Sequence, residues 1–202
     1  MIDSIMDIIL ASHNSKKIKE LRELLSASGI KADKISSLSD IGFFEDIPET
    51  GSTFEENAMI KASAIRMNGA VSVADDSGLC VDALDGSPGI YSARFSGEDA
   101  DDKKNNALLI EKLENENDRT ARFVSVVACI LPDGSSFTVR GECKGTILRS
   151  PRGENGFGYD PLFYIPELGK SFAELSADEK NAISHRGRAM RAFIEELSKR
   201  LK

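Results

Sequence analysis

Ser12-x-Asn14-x-x-Lys17 stands where an apolar run gives way to a helical pattern, and its hydroxyl, amide and ammonium are donors suited to phosphate. Exposed backbone N–H groups and the positive end of a helix dipole favour an anion there, although Ser and Asn before a helix are equally good caps. Asp75-Asp76-Ser77-Gly78 follows the apolar run Val71 to Ala74. Two carboxylates with cations nearby hold a divalent metal through oxygen ligands and polarise a water; the same tetrad also reads as an Asx turn that ends a strand. Glu49, in the loop before the next helical pattern, is a further oxygen donor whose role spacing alone leaves open. Asn57 and Lys61 are four apart and share a helix face, where Lys61 either neutralises a phosphate or lies on solvated surface. In Gly156-Phe157-Gly158-Tyr159-Asp160-Pro161 the aromatics between glycines are accessible for stacking on a planar ligand, or else pack on their own loop. Lys180, Ser184, His185 and Arg186 gather donors around the start of the last helical pattern, as an anion or carbonyl site or as a solvated basic patch with Ser184 as a cap. Together these segments sketch a nucleoside phosphate site with a divalent metal.

The elements that must position them follow from periodicity. Asp7 to Ala11 reads as a strand, and Lys16 to Ala27 as a helix with Ile18, Leu21 and Leu25 on its apolar face and Gly29 as its stop. Phe54 to Asn68 reads as a second helix, capped by Thr53 with Glu56 and ended by Gly69. Val71 to Ala74 predicts a strand broken at once by the acidic tetrad, at the kind of strand end where open α/β sheets bind ligands. A polar helix is expected from Asp101 to Leu113 and a central buried strand from Arg119 to Leu131. Pro132-Asp133-Gly134-Ser135 then turns the chain into the alternating strand Ser136 to Leu148, an antiparallel hairpin. Leu162 to Ile165 is a short strand, and Ser184 to Lys202 is a final amphipathic helix. Helices alternating with strands around an embedded hairpin predict an α/β fold with a mixed sheet.

Composition narrows the classes. At 202 residues, 41% hydrophobic and 29% charged, the chain has the profile of one soluble globular domain. Its apolar runs are far shorter than the roughly 20 residues of a membrane span. Met1 to Leu10 carries Asp3 and Asp7 and no basic segment, so it does not read as a signal peptide, and a cytoplasmic location is expected. A net charge of -7 argues against a broad nucleic-acid surface but leaves room for a local anion site built from a few cations. Cys80, Cys129 and Cys143 form no C-x-x-C pair and read as buried thiols. With only 2 histidines, His13 and His185, a zinc site is not expected.

In these segments the sequence resembles the inosine triphosphate pyrophosphatase family, the non-canonical purine nucleoside triphosphate pyrophosphatases. The matching pieces are Ser12-x-Asn14-x-x-Lys17, Glu49 through Ala62, Ala74 through Leu79, Pro88-Gly89-Ile90-Tyr91-Ser92-Ala93-Arg94, Gly156 through Pro161 and Ser184-His185-Arg186-Gly187, in the family's order and across nearly the whole chain. The resemblance implies one domain over residues 1–202 with two lobes around a long mixed sheet, an active-site cleft, a homodimer and Mg²⁺ dependence. It implies hydrolysis of ITP, dITP and XTP to the monophosphate and pyrophosphate. By position, Asp76 is the implied proton acceptor, and Glu49, Asp76 and Asp75 are implied metal-associated residues. Ser12, Asn14, Lys17, Lys61 and Lys180 resemble polyphosphate binders; Phe157, Tyr159, Asp160, Ser184, His185 and Arg186 resemble the base and sugar pocket. Asn57, Ser77 and Gly158 complete the expected substrate-binding set.

Two rivals stand beside this reading. A pyrophosphatase for pyrimidine or canonical triphosphates would share the phosphate and metal groups with a different base pocket. A nucleotide sensor would bind without hydrolysis, and would have no need of the acidic trio.

Overall fold

The computed structural model describes residues 6–13, 15–98 and 101–201. Five helices and seven strands dominate the described residues. The strands are β1 (Met6–Leu10), β2 (Ala32–Ser36), β3 (Ala70–Val81), β4 (Thr120–Ile130), β5 (Ser136–Ile147), β6 (Phe163–Ile165) and β7 (Lys170–Ser171). The helices are α1 (Ser15–Ser28), α2 (Phe54–Ala64), α3 (Asp102–Lys112), α4 (Ala177–Ile183) and α5 (His185–Arg200). The strands form one sheet in the order β2-β1-β3-β4-β5-β6-β7. β1 is parallel to both β2 and β3, with Ile8 opposite Ile35 and Val71, whereas β6 is antiparallel to β5 and β7. The sheet is mixed and the class is α/β, as the alternation of patterns predicts.

The chain divides into two compact units, residues 1–76, 126–140 and 189–202 in the first and residues 77–125 and 141–188 in the second. The first is organised by its own apolar cluster. Ile18, Leu21 and Leu25 of α1, Ile8 and Leu10 of β1, Val71 and Val73 of β3, and Met190, Phe193 and Leu197 of α5 are all buried together. Their spacing of three and four along the helices, and of two along the strands, is what aims them at one core. The second unit has another cluster, in which Leu79 and Val81 of β3 join Leu109, Phe123, Phe163 and Phe172.

Several boundaries are corrected. α2 ends at Ala64 rather than at Asn68, and Gly69, at φ +82, turns the chain into β3 instead of stopping the helix. β2 and α4 were not anticipated: Ala32–Ser36 is short and half polar, and α4 has only seven residues, started by a reciprocal capping box of Ser176 and Glu179. The larger correction is β3. The acidic tetrad does not break the strand; all four residues lie within Ala70–Val81, and only Ser77 among the twelve is exposed. The hairpin stands as expected, with Leu131 N donating to Ser135 O at 2.8 Å and Ile147 N to Arg119 O at 2.9 Å.

All three cysteines are buried free thiols. Burial pushes the Cys129 thiol up to about 12 and raises Cys143 as well. Because the thiolate is the nucleophile, the folded protein should show no fast reaction with Ellman's reagent at mildly alkaline pH. Denaturation should release all three thiols. A fast native phase would contradict the burial. Among the described residues no helix is long and apolar enough to cross a membrane.

Candidate functional site

The first unit gathers a compact set of charges on β3. Neighbouring strand residues point to opposite faces, so Asp75 and Asp76 reach different lysines. Both carboxylates are buried. Asp75 is gripped by Lys17 of α1, whose Nζ lies 2.9 Å from Oδ1 and 2.7 Å from Oδ2. Asp76 accepts from Lys61 Nζ at 2.9 Å, and the same ammonium meets Glu49 Oε1 at 2.5 Å. Glu49 and Asp76 thus converge on one cation.

α2 delivers two of these groups because its start is well fixed. Thr53 Oγ1 accepts from Glu56 N at 3.1 Å, and Glu56 turns back to Ser52 N at 2.6 Å and Ser52 Oγ at 2.7 Å. The expected cap is present, although the reciprocal bond closes on Ser52 rather than on Thr53. Asn57 and Lys61 then share the face that meets β3. Lys61 is not solvated helix surface: its side chain is 16% exposed.

Asn57, expected among the substrate-binding residues, braces the site from within. It is fully buried, its Oδ1 accepts from Gly51 N at 2.8 Å, and its Nδ2 donates to Asp76 Oδ2 at 3.4 Å. The side chain therefore ties the Glu49 loop and Asp76 to α2. Gly51 is required at the close approach, since a Cβ there would lie 2.7 Å from Asn57 Oδ1. Gly51 stands in the segment that resembles the family, but its sequence position gives it no role; the close approach to Asn57 does.

Protonation equilibria reflect the crowding. Burial pushes the Asp76 carboxyl above its usual range, helped by the negative charge of Glu49, and the pairing with Lys61 does not fully offset this. Burial pulls Lys61 down, but Asp76 and Glu49 together leave its ammonium above the ordinary lysine value. Burial outweighs the share of the cation that Asp76 receives, whereas Lys61 is raised because two carboxylates share it.

This donor set bears on a metal. Among the described residues no three His, Cys, Asp or Glu side chains are grouped to hold an ion. Of the expected set of Glu49, Asp75 and Asp76, Asp75 has both oxygens on Lys17, whereas Glu49 and Asp76 meet at Lys61. Glu49 and Asp76 are hard oxygen donors already turned to one cationic point. One or two carboxylates completed by substrate phosphates is the usual way a protein binds Mg²⁺, so the pair fits such an ion.

Of the remaining residues expected in the first unit, Ser12 is half-buried and its carbonyl accepts from Leu38 N at 3.2 Å. Asn14 lies outside the described residues.

The second unit holds the expected ring and basic residues. Ser77 is exposed on β3. Phe157 is 74% exposed, so its ring is available to a ligand. Tyr159 corrects the stacking expectation: its ring is buried in the second core and its hydroxyl donates to Ser92 O at 2.8 Å. Burial raises its phenol well above the ordinary tyrosine value, so it stays a neutral donor.

Asp160 is buried and accepts from Phe157 N at 2.9 Å and Lys180 Nζ at 2.5 Å. Gly156, at φ +82, lies so close that a Cβ would collide with the Asp160 carboxylate. Lys180 stands on α4, not on the last helix, with its Nζ 5.1 Å from the Phe157 ring centre and 5.3 Å from that of Phe172. Its carboxylate partner and two rings hold it beside the loop. Ser184 is buried and its Oγ accepts from Gly187 N at 3.1 Å, which caps α5. The His185 ring stacks on Phe123 at 4.7 Å, and Arg186 is half-buried beside it.

Residues 8–196 match the Ham1 family. The chain belongs to the Ham1 family. The family resemblance read from the sequence is borne out. Among Ham1 relatives, a protein named dITP/XTP pyrophosphatase from an Exiguobacterium species is 52% identical, covering 95% of this chain and 97% of its own. One of the same name from Desulforamulus reducens is 48% identical, covering 96% of each. The Ham1 protein structure from Staphylococcus aureus matches with a TM-score of 0.89 at 42% identity, covering 96% of this chain and 99% of that one. A nucleoside-triphosphatase, also named dITP/XTP pyrophosphatase, from Mycobacterium abscessus matches with a TM-score of 0.81 at 47% identity, covering 95% and 100%.

Proposed function

We propose that this protein hydrolyses the non-canonical purine nucleoside triphosphates dITP, ITP and XTP to the monophosphate and pyrophosphate. The observation that carries the reading is the convergence of Glu49 and Asp76 on Lys61 Nζ, in a chain aligned nearly end to end with dITP/XTP pyrophosphatases. The acid pair weighs against a mere sensor, which has no use for two carboxylates turned to one cation.

Asp76 takes the proton of a water that attacks the α-phosphorus in line. Lys61 and Lys17 offset negative charge on the polyphosphate, and Ser12, Asn14 and Lys180 add donors. Glu49 and Asp76 would hold Mg²⁺, which when bound neutralises phosphate charge and favours departure of pyrophosphate. Asp75, tied to Lys17, keeps that ammonium in place. No covalent nucleophile is needed, because phosphoryl chemistry of this kind depends on positioning and electrostatics.

Phe157 offers its ring to the base, and Gly158 and Asp160 shape the loop around it. His185 and Arg186, at the start of α5, supply donors for the O6 of hypoxanthine or xanthine. Adenine presents an amino group at that position, so donor would face donor and ATP would be a poor substrate. The reading includes a homodimer, a single two-lobed domain and a cytoplasmic location.

The deciding assay incubates the protein with Mg²⁺ and dITP, ITP, XTP, dGTP, ATP, dTTP or UTP, and separates pyrophosphate from orthophosphate. Pyrophosphate from the first three, well above the rest, is expected. Preference for a pyrimidine or canonical triphosphate would favour the first rival, no release at all the sensor, and orthophosphate as first product would contradict attack at the α-phosphorus.

A further inference from the structure

We propose that Asp102 and Asn106 are positioning residues for base binding, holding both hydrogen-bonding groups of Gly158 and thereby setting where the Phe157 ring stands. This rests on the functional reading above. The two residues are four apart on α3 and so share a face. Asp102 Oδ2 accepts from Gly158 N at 2.7 Å, and Asn106 Nδ2 donates to Gly158 O at 2.9 Å. A helix thus holds the N–H and the C=O of a single loop residue more than fifty positions away in sequence.

Gly158 adopts φ +59, a left-handed conformation that favours glycine, inside a turn that Asp160 N closes on Phe157 O at 3.2 Å. On the other side of the ring, Phe157 N is held by Asp160, which Lys180 pairs. The exposed Phe157 is therefore bracketed through its own N–H and through the next residue.

α3 is itself anchored. Buried Asn105 accepts from Ser96 N at 2.8 Å and Ser96 Oγ at 2.7 Å, and donates to Ala93 O at 2.8 Å. Ser92, whose carbonyl takes the Tyr159 hydroxyl, also accepts from Leu79 N at 2.8 Å through its Oγ. The Pro88 to Arg94 motif, to which the mechanism gives no chemistry, thus supports the helix and the loop together.

The test compares Asp102→Ala, Asn106→Ala and Asp102→Asn with the wild type. Kinetics of pyrophosphate release from dITP and XTP are measured, with amide exchange at Gly158 followed by NMR without nucleotide. Asp102→Ala and Asn106→Ala should raise KM about tenfold, as expected for one lost hydrogen bond, with kcat nearly unchanged and faster exchange at Gly158. Asp102→Asn keeps an acceptor oxygen at the same reach and should restore both readouts. Equal impairment by Asp102→Asn and Asp102→Ala would overturn the hydrogen-bond role. Faster exchange with unchanged KM would overturn the link to base binding. A wild type that releases no pyrophosphate would overturn the functional reading and base binding with it, while the nucleotide-free exchange comparison would still identify the clamp.

Discussion

Asp76→Asn is expected to lower turnover of dITP by about 10²- to 10⁴-fold, the range general-base catalysis supplies, without destabilising the fold. The two halves have one cause. Asp76 is buried beside Glu49, and its folded pKa is raised. A raised carboxyl contributes stability that is complete below its unfolded pKa and is lost as pH rises through the folded value. At neutral pH the ionised group is thus held at a cost that a neutral amide does not carry. The amide still offers an oxygen to Lys61 Nζ, and Lys61 keeps Glu49 as partner at 2.5 Å. Steady-state kinetics with a thermal melt would check this. Near-normal turnover would remove Asp76 as the base; a large fall in Tm would mean that its charge supports the fold.

Lys61→Met should be the most destabilising single change in the charge cluster. It leaves Glu49 and Asp76 facing each other without their shared ammonium, and breaking a largely buried pair from one side costs about 3 kcal/mol. Urea unfolding measures the loss. If the two carboxylates form a divalent site, Mg²⁺ should restore part of that stability in the variant and stabilise the wild type less, because it replaces the missing cation. Lys17→Met is the contrast, since Lys17 pairs with Asp75, outside the proposed ion pair. Equal Mg²⁺ responses in the two variants would overturn the assignment of Glu49 and Asp76 as the metal pair.

Much of the scaffold was legible because it is encoded locally. The apolar spacing in α1 and α5, Thr53 before α2 and the turn between β4 and β5 act within a few residues. Asn57 and Lys61 could be placed on one face for the same reason. The acidic tetrad was misread as a turn because two aspartates, a serine and a glycine after an apolar run lack, in isolation, anything to offset the burial of the carboxylates. Their partners are distant: Lys17 lies 58 positions from Asp75, and Lys61 lies 15 from Asp76. Once those ammoniums are in place, an acidic segment can remain strand.

The aromatic loop shows the same division. Its glycines and rings were visible, but not that Phe157 faces outward while Tyr159 is buried in the second core with its hydroxyl on Ser92. Asn57 likewise was placed on the right face, but not its hydrogen bonds to Gly51 and Asp76. By itself the sequence determined the fold class, the family, and the kinds of residue available for phosphate and base. Tertiary structure alone decided which carboxylate meets which lysine, which ring is exposed, and which polar side chain is support. Residue type and periodicity are properties of neighbours along the chain, whereas burial and charge pairing are settled only when distant segments meet.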